Sequence, residues 1–203
     1  MINREKFSAL LLIMGLIMAF LPFPDGKSFT VKPDFLLEES LNEATFSSVD
    51  EVAGFVIRED STVQLIDVRS AEEYKSFNIP GSVNITVSQI SGKEWEGLLG
   101  RENIRNIIYS NGDTESNYAW VMATGLGYKN CVVMKGGLNE WYKTVMNSKF
   151  SGETITPREN FLFETRTRAR DLFISINSLP DSLKVKFMDA KKIARKKLDG
   201  GCE

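Results

Sequence analysis

Residues 110 to 115 read Ser-Asn-Gly-Asp-Thr-Glu, which puts two hydroxyls and two carboxylates within six positions. Three roles are open to such a set. Ser110 could serve as a hydrolytic nucleophile, but a serine needs a base within hydrogen-bond reach. The chain has no histidine, so Glu115, Asp113 or a lysine would have to be that base. Asp113 and Glu115, with loop carbonyls, offer oxygen ligands to a hard cation, yet their spacing matches no dedicated binding loop. The third role is structural, because acidic side chains are favourable in the first turn of a helix, here one beginning near Thr114. The lack of histidine also removes Cys-His activation, imidazole ligation and the usual proton shuttle near neutral pH. No metal and no cofactor are expected.

Thiol chemistry rests on Cys131 and Cys202. One disulfide in an oxidising compartment is compatible with that number, but the settings of the two argue against it. Cys131 lies in the apolar run Asn-Cys-Val-Val-Met, where a free thiol behaves as a small buried hydrophobe, and its pKa should be raised. Cys202 follows two glycines in Leu-Asp-Gly-Gly-Cys-Glu, close to Lys196 and Lys197. An exposed thiol beside positive charge ionises readily, so Cys202 is the candidate for a sulfur-carrier or other thiol role.

The elements that must position these residues alternate along the chain. Ser48 and Glu51 make a capping-box pattern ahead of the apolar face Val49, Val52, Phe55 and Val56, which predicts a helix. Thr-Val-Gln-Leu-Ile-Asp-Val, from residue 62, has the near-continuous apolar character of a strand buried in a parallel sheet. Ser70 caps a further helix, Pro80-Gly81 marks a turn, and a short extended piece follows. Residues 106 to 110 form a second strand, 114 to 128 a helix ending at glycine, 131 to 134 a third strand, and 138 to 146 a helix after the Gly136-Gly137 turn. Strand and helix in alternation predict an α/β domain with a mainly parallel central sheet flanked by helices.

The stretch Leu-Ile-Asp-Val-Arg-Ser-Ala-Glu-Glu-Tyr and the later Ile-Pro-Gly-Ser, Gly-Gly and Trp resemble a single rhodanese homology domain, from about Phe46 to Met146. In that resemblance Asp67 and Arg69 tie the end of the first strand to nearby loops. Tyr74, Pro80, Gly81, Gly136, Gly137 and Trp141 hold the fold. Asn78 and Ser82 stand where histidine and alanine are usual. Active members carry a cysteine at the end of the central strand, then a cradle of backbone amides closed by arginine. Such amides and a helix N-terminus would lower the thiol pKa and hold an anionic sulfur. The matching residues here are Ser110, Asn111, Gly112, Asp113, Thr114 and Glu115. The resemblance therefore implies a degenerate loop: Ser110 cannot carry a persulfide, and Glu115 reverses the charge that would hold an anionic donor. A binding or regulatory module with a protein partner is expected, and the alternative is sulfurtransferase or carrier chemistry through Cys202.

The ends have their own character. Arg4 and Lys6 precede an apolar run from Phe7 to about Phe23, a pattern shared by uncleaved anchors, signal peptides and, less well, buried helices. Positive charge ahead of the run predicts the N-terminus inside and the rest exported, either extracytoplasmic (periplasmic) or anchored in an inner membrane. Residues 1–24 are thus a signal peptide or anchor, 25–44 a connector that includes a short helix, 45–148 the rhodanese-like domain and 149–203 a helical extension with a flexible tail. In the extension, residues 157 to 176 and 180 to 197 read as helices, the second ending in Lys-Lys-Ile-Ala-Arg-Lys-Lys. That basic end is either a solvated face or a surface for a partner or anionic lipid. A formal net charge of −2 gives no reason to expect nucleic acid.

Overall fold

The structure is a computed structural model that describes residues 4–20, 28–150, 156–184, 186–187 and 190 of the 203. Five parallel strands form its centre: β1 (Phe46–Ser47), β2 (Val63–Asp67), β3 (Val83–Asn84), β4 (Arg105–Tyr109) and β5 (Cys131–Met134), in the order β1-β5-β4-β2-β3. The middle strands are buried from end to end apart from Arg105. Their side chains still alternate between two cores, because successive residues of a strand face opposite sides of a sheet.

One core gathers Val63 and Leu65 of β2, Ile107 and Tyr109 of β4, and Val132 and Met134 of β5. Against them pack α3 (Val49–Arg58), α7 (Gly137–Trp141) with its π-wound continuation Tyr142–Met146, and α8 (Pro157–Asn177). The other core takes Ile66, Ile108 and Val133, covered by Ala119, Trp120 and Ala123 of α6 (Asp113–Gly125) and by Leu99 of α5 (Glu96–Leu99). Capping boxes start three of the helices: Ser48 with Glu51 for α3, Ser70 with Glu73 for α4 (Ala71–Ser76), and Thr156 with Glu159 for α8. In each, a hydroxyl and a carboxylate satisfy amides that the helix itself cannot.

Two segments outside the expected domain limits pack on it. Helix α2 (Pro33–Ser40) contacts α6, with Leu36 buried, and the Thr30 amide donates to the Gly125 carbonyl at 2.8 Å. Helix α8 buries Ala169, Phe173 and Ile176. Phe173 lies against Trp141 with ring centroids 6.2 Å apart, so the extension forms part of the core. Helix α1 (Arg4–Phe20) exposes Leu10, Leu12, Leu16 and Met18. Its 17 residues give about 25 Å, short of the roughly 30 Å of a hydrocarbon core. Among the described residues no helix is long and apolar enough to cross a membrane. Beyond Pro180 the amides of Leu183 and Lys184 donate to its carbonyl and begin a helical turn. The remainder of the expected second C-terminal helix lies largely outside the described residues.

Candidate functional site

Parallel strands place all their carboxyl ends on one side, and ligands of open α/β sheets bind there. The loops after β2, β4 and β5 meet at that side. Asp67 is the last residue of β2 and is fully buried, as is the Arg69 side chain. Arg69 Nη2 donates to Asp67 Oδ2 at 2.6 Å and to the Phe77 carbonyl at 2.7 Å. Its Nη1 reaches Asn111 Oδ1 at 3.4 Å, and its guanidinium stacks 4.8 Å from the Phe77 ring centre. The Arg69 backbone amide also donates to Asp67, at 3.0 Å. Burial works against the charge on Arg69, but the hydrogen bonds and negative charge of Asp67 outweigh it and hold the guanidinium above its ordinary pKa. The pair therefore fixes the β2 loop, the segment after α4 and the β4 loop together. Its cation is spent internally, on a side chain that is wholly buried.

Ser110 directly follows β4 and is 1% exposed. Its hydroxyl donates to Glu115 Oε2, an exposed side chain one turn into α6. Gly112 is the residue before α6 and supplies no side-chain cap. The expectation that Asp113 and Glu115 cap this helix needs correction in its detail. Asp113 Oδ1 accepts from the Gly136 amide at 2.6 Å, across to the β5 loop, and Glu115 accepts from Ser110. Both still lie in the first turn, where their charge complements the helix dipole. Thr114 is exposed there, while the Ser116 hydroxyl turns back to the Gly112 and Asp113 carbonyls at 2.9 and 3.0 Å. Asn111 Nδ2 donates to Glu73 Oε1 at 2.7 Å.

The Gly-Gly turn closes the loop from the other side. The amides of Leu138 and Asn139 donate to the carbonyls of Ser110 and Asn111, both at 2.9 Å. Gly137 has φ +55, and a Cβ there would lie 2.5 Å from the Ser110 carbonyl oxygen, so only glycine fits against this backbone. Trp141, fully buried, anchors the following helix beneath α8.

The remaining motif residues form a second network beside the first. Pro80 and Gly81, the latter with φ +84, occupy the centre of a turn in which the Ser82 amide donates to the Ile79 carbonyl at 3.0 Å. That is the geometry of a type II turn, which favours proline then glycine. Tyr74 donates to the Ser82 carbonyl at 2.6 Å, and burial pushes its phenol up to about 12. Tyr109 donates to Ser82 Oγ at 2.9 Å and accepts from the Ile79 amide at 3.1 Å, and burial raises its pKa well above the ordinary value.

Sequence reasoning missed Tyr109 and Asn177, and named Ser82 only as a departure from the family pattern. Asn177 of α8 accepts from the Asn78 amide at 3.0 Å and donates to its carbonyl at 2.9 Å. The departure at Ser82 was the available signal for Tyr109, whereas Asn177 binds only the backbone of Asn78, which any residue there would offer. Cys131 is a free, buried thiol pushed up to about 12 by burial, as expected. Cys202 lies outside the described residues. Among the described residues no three metal-ligating side chains cluster.

A family model described as the rhodanese-like domain matches residues 50–144. The adenylyltransferase and sulfurtransferase uba4 of Ogataea parapolymorpha is 32% identical over 82 residues, which cover 40% of this chain and 20% of that protein. A probable molybdopterin-synthase adenylyltransferase of Porphyra purpurea is 28% identical over 85 residues, covering 42% and 22%. The chain thus spans about a fifth of the length of these curated relatives. Among solved structures, a human single-domain sulfurtransferase is similar at 24% identity and TM-score 0.42, over 49% of this chain and 96% of that one. A single-domain sulfurtransferase of Saccharomyces cerevisiae gives 23% and 0.43, over 52% and 94%. With the family match falling on strands β2 to β5, the loop and both motif networks, residues 50–144 are a rhodanese-like domain.

Proposed function

We propose that this rhodanese-like domain is non-catalytic and acts as a binding or regulatory module for a protein partner. The observation that carries this reading is the Ser110–Glu115 hydrogen bond. At the strand end where sulfur transfer would need a thiolate facing amides and a cation, a buried hydroxyl is held by a carboxylate. A serine hydroxyl stays un-ionised near neutral pH, and its adduct with sulfur would not survive as a carrier. Arg69, the nearby cation, is committed to Asp67 and the Phe77 carbonyl. Sulfur transfer, named for the Ogataea relative, is the activity to test.

In a thiosulfate:cyanide assay the full chain should show no turnover. Ser110→Cys alone should not give robust activity, because the Glu115 carboxylate would lie against the new thiol and raise its pKa. Vigorous turnover by Ser110→Cys, or wild-type turnover abolished by Cys202→Ser, would overturn the reading. The apolar α1 helix, with Arg4 and Lys6 at its start, supports a further part of the proposal: this segment directs the domain to a membrane or through it. Cell fractionation should find the full chain with membranes or exported, and deletion of residues 1–27 should leave it in the cytosol. An unchanged distribution after deletion would sink that part.

A further inference from the structure

Two exposed surfaces of this chain lack partners among the described residues, and each carries what the other needs. The first is a groove of about 650 Å³ between α3, α8 and the β1 edge of the sheet. Phe46, Phe55 and Phe161 line it, and Phe161 is 60% exposed. Its charges differ in whether they are already engaged. Asp50 is held by Arg166 through two contacts of 2.7 and 2.6 Å, and Glu51 accepts from Ser47 and Ser48. Arg58, Lys135 and Arg158 are exposed and form no ion pair among the described residues, with Arg58 lying 5.5 Å over the Phe55 ring. Glu43 on the rim is likewise without an ion pair among them. With Asp50 paired to Arg166, the lining sets three cations, Arg58, Lys135 and Arg158, against the carboxylates of Glu43 and Glu51, beside the three phenylalanine rings, which leaves a small positive excess.

The second surface is on α2. Asp34, Leu37, Glu38 and Leu41 recur at intervals of three, one and three, which puts them on one stripe of a helix. Leu41 continues the helical conformation as the C-cap. All four are exposed, Leu37 by 65% and Leu41 by 79%, while Leu36 turns inward. The stripe is an acidic and apolar ridge about 10 Å long.

We propose that this ridge docks in the groove of a second copy of the chain, reciprocally, to close a two-fold dimer. Charge and apolar character match on both sides: Asp34 and Glu38 meet Arg58 and Arg158, and Leu37 and Leu41 meet Phe161. The ridge does not fill its own groove, because α2 packs on α6 against one face of the sheet while α3 and α8 cover the other. From α2 the chain runs through Asn42 and Glu43 directly to β1 at the sheet edge. A two-fold axis near that edge sets each ridge over the other copy's groove, and a self-complementary interface of this kind closes without propagating. It also covers an open sheet edge. The chain's basic segment Lys-Lys-Ile-Ala-Arg-Lys-Lys has the wrong sign to occupy the groove.

Analytical ultracentrifugation of the full chain in mild detergent tests this. The wild type should be a dimer that weakens with added salt. The ridge variant Asp34→Arg with Glu38→Arg, and the groove variant Arg58→Glu with Arg158→Glu, should each raise the dimer dissociation constant about ten-fold or more. Mixing the two should restore a heterodimer, since each variant's reversed charges now face the other's. The milder Glu38→Gln and Phe161→Ser repeat the test with exposed, single changes if a double variant loses its helical circular dichroism. A wild type monomeric at about 100 μM, variants that dimerise as before, or folded variants that stay monomeric when mixed would each overturn the proposal. A monomeric wild type that binds an unrelated acidic amphipathic peptide would overturn it in favour of a different partner.

Discussion

Asp67 ends β2 and Ser110 directly follows the adjacent β4; both are buried, and they differ sharply in what depends on them. Removing the Asp67 carboxylate would leave the Arg69 guanidinium, whose side chain is 0% exposed, without its counter-charge. Breaking a buried pair by deleting one partner costs about 3–5 kcal/mol. Ser110→Ala removes one hydrogen bond to a carboxylate that water can reach, at a cost of about 1 kcal/mol or less. Urea denaturation should therefore show a large fall in midpoint for Asp67→Ala and a small one for Ser110→Ala, and the reverse order would refute this assignment of roles. The resemblance implied that Asp67 and Arg69 tie the strand end to nearby loops, and the structure adds that the two pair with each other. Nothing in their spacing shows that Arg69 also reaches Phe77 and Asn111, because those contacts need three loops to converge.

At the level of elements, α8 is held to the domain by three different kinds of contact. Its apolar face buries Ala169, Phe173 and Ile176. Arg166 pairs with Asp50 of α3, both side chains 27% exposed. At its end Asn177 satisfies both backbone groups of Asn78, which is 6% exposed. Partly exposed ion pairs contribute about 1 kcal/mol or less, whereas stranding buried backbone groups costs about 1–3 kcal/mol. Asn177→Ala should thus destabilise the fold more than Arg166→Ala. Hydrogen exchange should speed up at the C-terminal turns of α8 and in the loop around Asn78. Equal or smaller effects for Asn177→Ala would show that the clamp is incidental. The helix itself was legible in the sequence, which predicts it from Pro157 to about Ile176, and the structure adds the Thr156–Glu159 capping box that starts it. Its docking was not, because Asn177 lies 99 residues from Asn78 and binds its backbone groups, which no residue type signals.

For the whole molecule, the titrating groups predict a broad pH plateau with two flanks. No histidine is present, so no side chain of ordinary pKa titrates between about pH 5 and 8. On the acid side, the Asn111 hydrogen bond and the Ser70 amide hold Glu73 below its ordinary 4.5, and Glu51 is also lowered, its burial outweighed by bonds from Ser48 and Ser47. Stability from these depressed carboxylates is present above 4.5 and is lost as pH falls through their folded values. On the alkaline side, burial raises Cys131 from 9.0 to about 12 and Tyr74 from 10.0 to about 12, and it raises Tyr109 well above 10.0. Their contribution is complete below pH 9 and declines from there, because the unfolded chain ionises first. Melting temperature should be flat across neutrality, fall below about pH 4.5, and begin falling near pH 9. Cys131→Ala should delay the alkaline fall, and an unchanged onset would refute the role of that thiol.

The alternating buried strands and capped helices could be read from residues alone, because period and capping are local properties of the chain. So could the two-sided core, once Leu65 and Ile66 or Val132 and Val133 are assigned to neighbouring positions of parallel strands. The tertiary structure decided what the polar residues are for. Asp113 binds an amide 23 residues away, Glu115 turns to Ser110, and Tyr109 holds both ends of the Ile79–Ser82 turn. A hydrogen bond is short-ranged and directional, so its partner is chosen by how distant loops pack, and that choice leaves no mark in the spacing of the residues that make it.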